Sequence, residues 1–145
     1  MDKQTFAAQV TDMERSLYRV ARSYLAADAD CADAVQEALL RAWAGRNTLR
    51  EPRYFRTWLT RILINECKTA LRKRARIQPM DPATLPEPPP QANPASLADA
   101  LNALPPKDRA PLVLHYLEGY SVQETARLHN VPQGTVKCRL HRARK

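Results

Sequence analysis

Aromatic side chains make up only 6% of the chain and glycine occurs three times, which leaves little material for a sandwich of short strands joined by tight turns. Ala, Leu and Arg prevail instead, and all three are good helix formers. Cysteine is sparse too. Cys31, Cys67 and Cys138 are odd in number, far apart and without a C-x-x-C, and the histidines do not cluster with them. That excludes a disulfide framework and a zinc site, and predicts reduced thiols in a cytosolic protein. No apolar run approaches the length of a membrane-spanning helix, and the first residues lack the apolar stretch of a signal peptide. The expected location is therefore cytoplasmic. Paired-carboxylate, nucleophile and phosphate-loop motifs are missing as well. Neither an enzyme, a metal, a cofactor nor a small-molecule substrate is expected.

What is present is positive charge. Lys and Arg number 23 against 15 Asp and Glu, a formal net charge of +8. Such an excess points to an acidic partner, with nucleic acid the leading candidate. At 145 residues, 44% of them hydrophobic, there is enough apolar surface for one ordinary domain or two small ones.

The stretch QPMDPATLPEPPPQANPAS, residues 78–96, decides between these, because its seven prolines preclude both a helix and a central strand. It reads as a semi-rigid linker that could reach about 60 Å when extended, at ~3.1 Å per residue. The chain is thus expected to be all-α, with two small helical domains, 1–77 and 97–145, joined by a proline-rich segment.

In the first domain Leu17, Val20, Ala21 and Tyr24 lie at i, i+3, i+4 and i+7, one face of a helix. Val35, Leu39, Ala42 and Trp43 mark a second helix. Asp30 is its expected N-cap, Asp33 suits its first turn, and Gly45 is expected to end it in a left-handed turn. A loop follows, then a third helix from about Tyr54 to Arg76. Phe55, Leu59, Ile62, Leu63 and Ala70 share its apolar side. Tyr54, Trp58, Arg61, Asn65, Lys68, Arg72 and Arg76 share another. Rings interleaved with cations suit opened or single-stranded DNA, because rings stack on unpaired bases while cations hold phosphates. Trp58 also borders the apolar face, where a core role is the alternative, and an ordinary solvated surface is the alternative for the stripe.

The second domain opens with Leu97, Leu101 and Leu104 on one face, then a Pro-Pro turn and a helix from about Lys107 to Leu117, ended by Gly119. Ser121 and Glu124 form the S-x-x-E of a capping box. Asn130 is placed to end that short helix in a left-handed conformation. Gln133 and Gly134 open the last helix, in which Val136, Leu140 and Ala143 form one narrow apolar stripe. Lys137, His141 and Arg144 line one flank; Arg139 and Arg142 line another. Two short helices with a tight turn between them, and small Ala126 where they must meet, read as a helix-turn-helix whose second helix can enter a major groove. Gly134 and Thr135 at its start can offer backbone and hydroxyl donors to phosphate.

With these residues in view, DADCADAVQEALLRAW followed by FRTWLTRILINE resembles region two of the bacterial sigma-70 factors of the extracytoplasmic-function (ECF) group. The block from Leu101 to Lys145 resembles their region four. The resemblance implies a specificity subunit that binds core RNA polymerase, through its clamp and flap, and directs it to promoters. Region two would read the −10 element as DNA opens, through Tyr54, Trp58, Arg61, Asn65, Lys68 and Arg72, with the loop Arg46–Arg53 helping to hold an unstacked base. Region four would read the −35 element as duplex, through Gln133, Gly134, Thr135, Lys137, Arg139, His141 and Arg142. Asp33, Gln36 and Glu37 match the part of the family that docks on the polymerase clamp; dipole compensation and simple solvation are the alternatives for them. An anti-sigma factor, often membrane-anchored in this group, is the further partner implied. Thr125 and His129 stand where the family prefers aliphatics, Asn130 where glycine is usual and Cys138 where serine is common. A stand-alone helix-turn-helix regulator is the competing reading, but it has no use for the aromatic-cationic helix.

Overall fold

A computed structural model describes residues 2–77, 100–101 and 103–143. Every regular element among them is helical. The proline-rich segment, Leu97 and Arg144 lie outside the described residues.

Helix α1 spans Lys3–Tyr24 and is capped by Asp2, whose carboxylate accepts the Thr5 N–H at 2.7 Å. Its apolar stripe begins well before Leu17. Phe6 and Met13 are buried and Val10 packs against the core, so Phe6, Val10, Met13, Leu17, Val20 and Tyr24 form one line at alternating three- and four-residue steps. Helix α2 covers Asp28–Ala44. It starts three residues earlier than expected, after Ala27, and no side chain caps it. Asp30 therefore stands inside the first turn beside Asp28, where both charges still favour the positive end of the helix. Asp30 also pairs with Arg74 at 2.9 Å. Nor is Gly45 left-handed. Its φ is −97°, because the chain continues into a right-handed 3₁₀ turn, Arg46–Thr48, without reversing. A second 3₁₀ turn, Pro52–Tyr54, leads into α3, Phe55–Ile77. Tyr54 thus sits just before α3 and not in it.

The three helices enclose a core in which Val20, Ala42, Leu59, Leu63 and Ile64 are fully buried. Phe6 meets Trp43 and Phe55 edge-on, with ring centres 5.2 and 5.7 Å away. Such pairs add to simple area burial.

Helix α4, Pro106–Leu112, begins with a proline at the position where the missing N–H has no partner to lose. Pro111 lies inside it and removes a donor. Directly beyond, the expected α-helix widens into a π turn, Val113–Leu117, and the Glu118 N–H bonds the Val113 carbonyl at 2.9 Å. Gly119, at φ +79°, reverses the chain. Helices α5, Val122–His129, and α6, Gln133–Ala143, follow.

The two halves are in contact. Ala110, Leu114, Tyr120 and Leu128 belong to the same buried cluster as the residues of α1, α2 and α3. Among the described residues, only Ala126, Val136 and Leu140, flanked by Leu112, Val122 and Val131, make a separate cluster within the second half.

Candidate nucleic-acid interface

The edge of α3 carries the first set of expected residues. Tyr54 is 51% exposed, with the Arg53 guanidinium 4.9 Å over its ring. Arg61, Asn65 and Arg72 are exposed, and Arg72 Nη2 donates to Thr69 Oγ1 at 3.1 Å. Two members are drawn inward. Trp58 is half-buried against the core, its ring 5.9 Å from that of Phe55. Lys68 is half-buried and its ammonium donates to the backbone carbonyl of His129. Burial lowers the Lys68 pKa, and nearby Arg72 and Arg139 lower it further. The side chain of Arg76 lies outside the described part. The loop leading into α3 is held tightly. Arg46 stacks 3.9 Å over Trp43 and donates to its carbonyl at 2.8 Å, and Thr48 Oγ1 donates to the Gly45 carbonyl at 2.7 Å.

In the helix-turn-helix the capping box is complete. The Glu124 N–H bonds Ser121 Oγ at 3.0 Å and the Ser121 N–H bonds Glu124 Oε1 at 3.1 Å. Asn130 adopts φ 61°, ψ 51°, the left-handed cap expected of it. Val136 and Leu140 pack on Ala126 and set the crossing of α5 and α6. Thr125 is buried, and its hydroxyl finds no hydrogen-bond partner among the described residues. On α6, Gln133, Gly134, Lys137 and His141 are exposed. Thr135 is half-buried and its N–H bonds the Pro132 carbonyl at 3.0 Å, so what it offers a ligand is its hydroxyl. Arg142 is exposed and donates to Asp108 at 2.8 Å. Arg139 is half-buried and faces the seam between the halves, where its charge bears on Tyr24, Lys68 and His129.

On α2, Asp33, Gln36 and Glu37 are exposed, and Glu37 pairs with Arg41 one turn on at 3.5 Å. Leu40 lies on the same side, 59% exposed, and sequence inspection missed it. Its signal was an aliphatic residue one turn beyond Gln36, on the polar face of an amphipathic helix.

A polar seam joins the halves. The buried Glu118 carboxylate takes Arg19 Nε at 2.6 Å and the Ser16 hydroxyl. Arg56 Nη2 donates to the Glu118 backbone carbonyl at 2.6 Å, and its guanidinium lies 4.8 Å over the Tyr120 ring. Tyr120 and Thr60 share a hydroxyl–hydroxyl bond of 3.1 Å. Arg109 Nε donates to the Ser23 carbonyl at 2.9 Å. Finally, the Tyr24 hydroxyl lies 2.5 Å from His129 Nδ1. Burial pushes His129 down to about 4, helped by the charges of Lys68 and Arg139, and pushes Tyr24 well up. The ring is therefore neutral and the phenol keeps its proton. None of these seam contacts was foreseen.

Comparison with known proteins bears on both halves. Residues 10–77 match the family described as Sigma-70 region 2, and residues 95–145 match Sigma-70, region 4. The chain is 35% identical over 150 residues to the ECF RNA polymerase sigma factor SigM of Mycobacterium tuberculosis, covering 99% of this chain and 75% of the relative. It is 31% identical over 140 residues to the RNA polymerase sigma factor SigV of Bacillus subtilis, covering 94% and 84%. Among solved structures it resembles the sigma factor RpoE of Bartonella quintana in complex with the anti-sigma factor NepR, with a TM-score of 0.80, 28% identity and coverage of 97% and 92%. The helix-turn-helix, the basic α3 edge and these matches along both halves lead to one conclusion: the chain belongs to the sigma-70 family of RNA polymerase sigma factors, in its ECF group.

Proposed function

We propose that this sigma factor divides promoter recognition between its halves, residues 1–77 serving the −10 element and 97–145 the −35 element. On α2, Asp33, Gln36 and Glu37 dock on the polymerase clamp, and Leu40 adds an apolar contact at their centre. On α3, Tyr54 and Trp58 offer rings to an unstacked base, while Arg61, Lys68 and Arg72 track the phosphates of the opened strand. Asn65 has a donor and an acceptor for a base edge or a backbone oxygen. In the second half, α6 enters the major groove. Gln133, Gly134 and Thr135 meet phosphate at its N-terminus, and Lys137, Arg139, His141 and Arg142 divide between phosphates and base edges. Core polymerase and promoter DNA are thus the working partners. An anti-sigma factor is the expected antagonist, because the structurally similar sigma factor RpoE of Bartonella quintana was solved in complex with the anti-sigma factor NepR.

The observation that carries this reading is the exposed edge of Tyr54, Arg61, Asn65 and Arg72 in the same chain as a helix-turn-helix. A stand-alone duplex-binding regulator needs only the second. The test is transcription with core polymerase and permanganate footprinting of thymines near −10. Asn65→Ala, and Arg61→Ala combined with Lys68→Ala, are expected to leave polymerase binding intact and to reduce thymine reactivity. Undiminished reactivity in the triple variant would refute the assignment of the α3 edge.

A further inference from the structure

We infer that the groove between α1 and the first turn of α2 is a docking site for an acidic amphipathic helix of a partner protein, and that this partner leaves the DNA-contacting and clamp-facing surfaces free. The inference goes beyond the division of promoter recognition proposed above and uses none of the residues assigned there.

The groove is shallow, about 410 Å³, and is lined by Arg15, Tyr18, Arg19 and Arg22 of α1 and by Asp28 and Cys31 of α2. Register builds it. Arg15, Tyr18 and Arg22 fall at i, i+3 and i+7, one line along the side of α1 turned away from the buried Leu17, Val20 and Tyr24. The line covers two turns, roughly 10 Å at ~1.5 Å per residue. Arg19 stands beside it. Cys31 is buried at the floor, and its thiol donates to the Leu25 carbonyl at 3.6 Å.

Three large apolar side chains of the first half are well exposed among the described residues. Tyr54 belongs to the DNA edge and Leu40 to the clamp face. Tyr18, 42% exposed, serves neither. A tyrosine within a row of arginines has the composition of an interface centre.

The charges are only partly answered within the chain. Arg22 pairs with Asp28 and Arg19 with Glu118, yet both arginines stay about half exposed. Arg15 is exposed and has no ion pair among the described residues. Exposed pairs exchange partners at little cost, so the row can take carboxylates from outside. Acids at its ends decide the class of partner. Asp12 lies one turn before Arg15 on the same side of α1, and Asp28 stands at the far end, 90% exposed. A nucleic-acid backbone is charged at every step and brings phosphates against both acids. A helix places its carboxylates at chosen positions and brings an apolar side chain for Tyr18. The matching partner presents acidic, apolar and acidic residues at i, i+3 and i+7, the counterpart of Arg15, Tyr18 and Arg22.

Helix α2 keeps the groove apart from the clamp face. At ~100° per residue Asp28 and Cys31 lie on the opposite side of α2 from Asp33, Gln36, Glu37 and Leu40. Asp33 and Glu37 line a different groove, with Glu66 and Lys73 of α3, and the two grooves share no residue. A helix seated on α1 can therefore remain while polymerase occupies α2 and DNA occupies α3.

The test uses the full chain and a fluorescein-labelled, alanine-based peptide stapled as a helix, with Glu, Leu and Glu at i, i+3 and i+7. A control peptide carries Lys in place of each Glu. Fluorescence anisotropy is expected to show the acidic peptide bound about tenfold more tightly than the control. Arg15→Glu should weaken it about tenfold and Tyr18→Ala about fivefold, with helicity unchanged. Arg15→Gln, a milder change, decides the matter if Arg15→Glu loses helicity. Core polymerase and promoter DNA should leave peptide affinity unchanged, and Arg15→Glu should transcribe normally in the absence of peptide. Equal affinity for the two peptides, or no loss in the folded Arg15 variants, overturns the site. Displacement of the peptide by core polymerase overturns its independence. Loss of single-stranded oligonucleotide binding in Arg15→Glu, with peptide binding intact, makes the groove a nucleic-acid surface and overturns the assignment to a helix.

Discussion

Helices α1, α2 and α3 bury Leu59, Leu63, Ile64 and Val20 among themselves, whereas the helix-turn-helix has only Ala126, Val136 and Leu140 for a core of its own. Ala110, Leu114, Tyr120 and Leu128 of the second half belong to the buried cluster of the first. The first half thus derives its order from its own apolar interior. The second depends on capping, a left-handed asparagine and a borrowed surface. The difference shows where each fold is specified: in the first half by a shared apolar interior, in the second by local signals at helix ends.

Core truncation should separate the halves most clearly. Leu63→Ala, at a fully buried site, is expected to cost about 2–5 kcal/mol. Leu140→Ala, at the rim of the small cluster, should fall at the lower end, about 2 kcal/mol. Chemical denaturation followed by circular dichroism measures both. Equal losses would erase the distinction drawn here.

The seam comes next. Tyr24→Phe leaves His129 Nδ1 buried without its hydroxyl partner and is expected to cost about 1–3 kcal/mol, read in the coupling between the halves. The same site makes that coupling pH-dependent. Buried at the seam, His129 is pushed down to about 4, below its ordinary value of 6.5. At pH above 6.5 the ring is neutral whether buried or exposed, and coupling is complete. As pH falls from 6.5 towards 4 an exposed ring takes up a proton that the buried one refuses, so coupling is progressively lost; below 4 the loss levels off. The neighbours that oppose the proton are the ammonium of Lys68 and the guanidinium of Arg139, with the uncharged Tyr24 phenol against the ring. Chemical denaturation measured against pH checks the window.

The smallest stability effect is expected at the surface. Arg142→Ala breaks an exposed pair with Asp108 and should change stability by only about 0.2–1 kcal/mol. Binding to duplex carrying a −35 element should nevertheless fall, either evenly across sequences for a phosphate contact or by about 1–3 kcal/mol at one position for a base contact. Fluorescence anisotropy on matched and mismatched duplexes distinguishes the two.

Taken alone, the sequence was sufficient for whatever depends on neighbours three or four residues away. The capping box of Ser121 and Glu124, the left-handed Asn130, the start of α6 at Gln133 and the apolar faces of α2 and α3 are all local, because a helical period and a cap are written in consecutive residues. Exposure of Arg61, Asn65 and Arg72 follows from the same periodicity. Local signals were less sure at helix ends without a side-chain cap, and there Asp30 and Gly45 departed from expectation. Only tertiary structure decided that Trp58 packs against the core, that Lys68 holds His129, and that Glu118 is buried against Ser16, 102 residues away in sequence. A glutamate after a helix reads as solvated surface. What buries it is the way two helical units meet, through contacts about a hundred residues apart that no periodicity encodes.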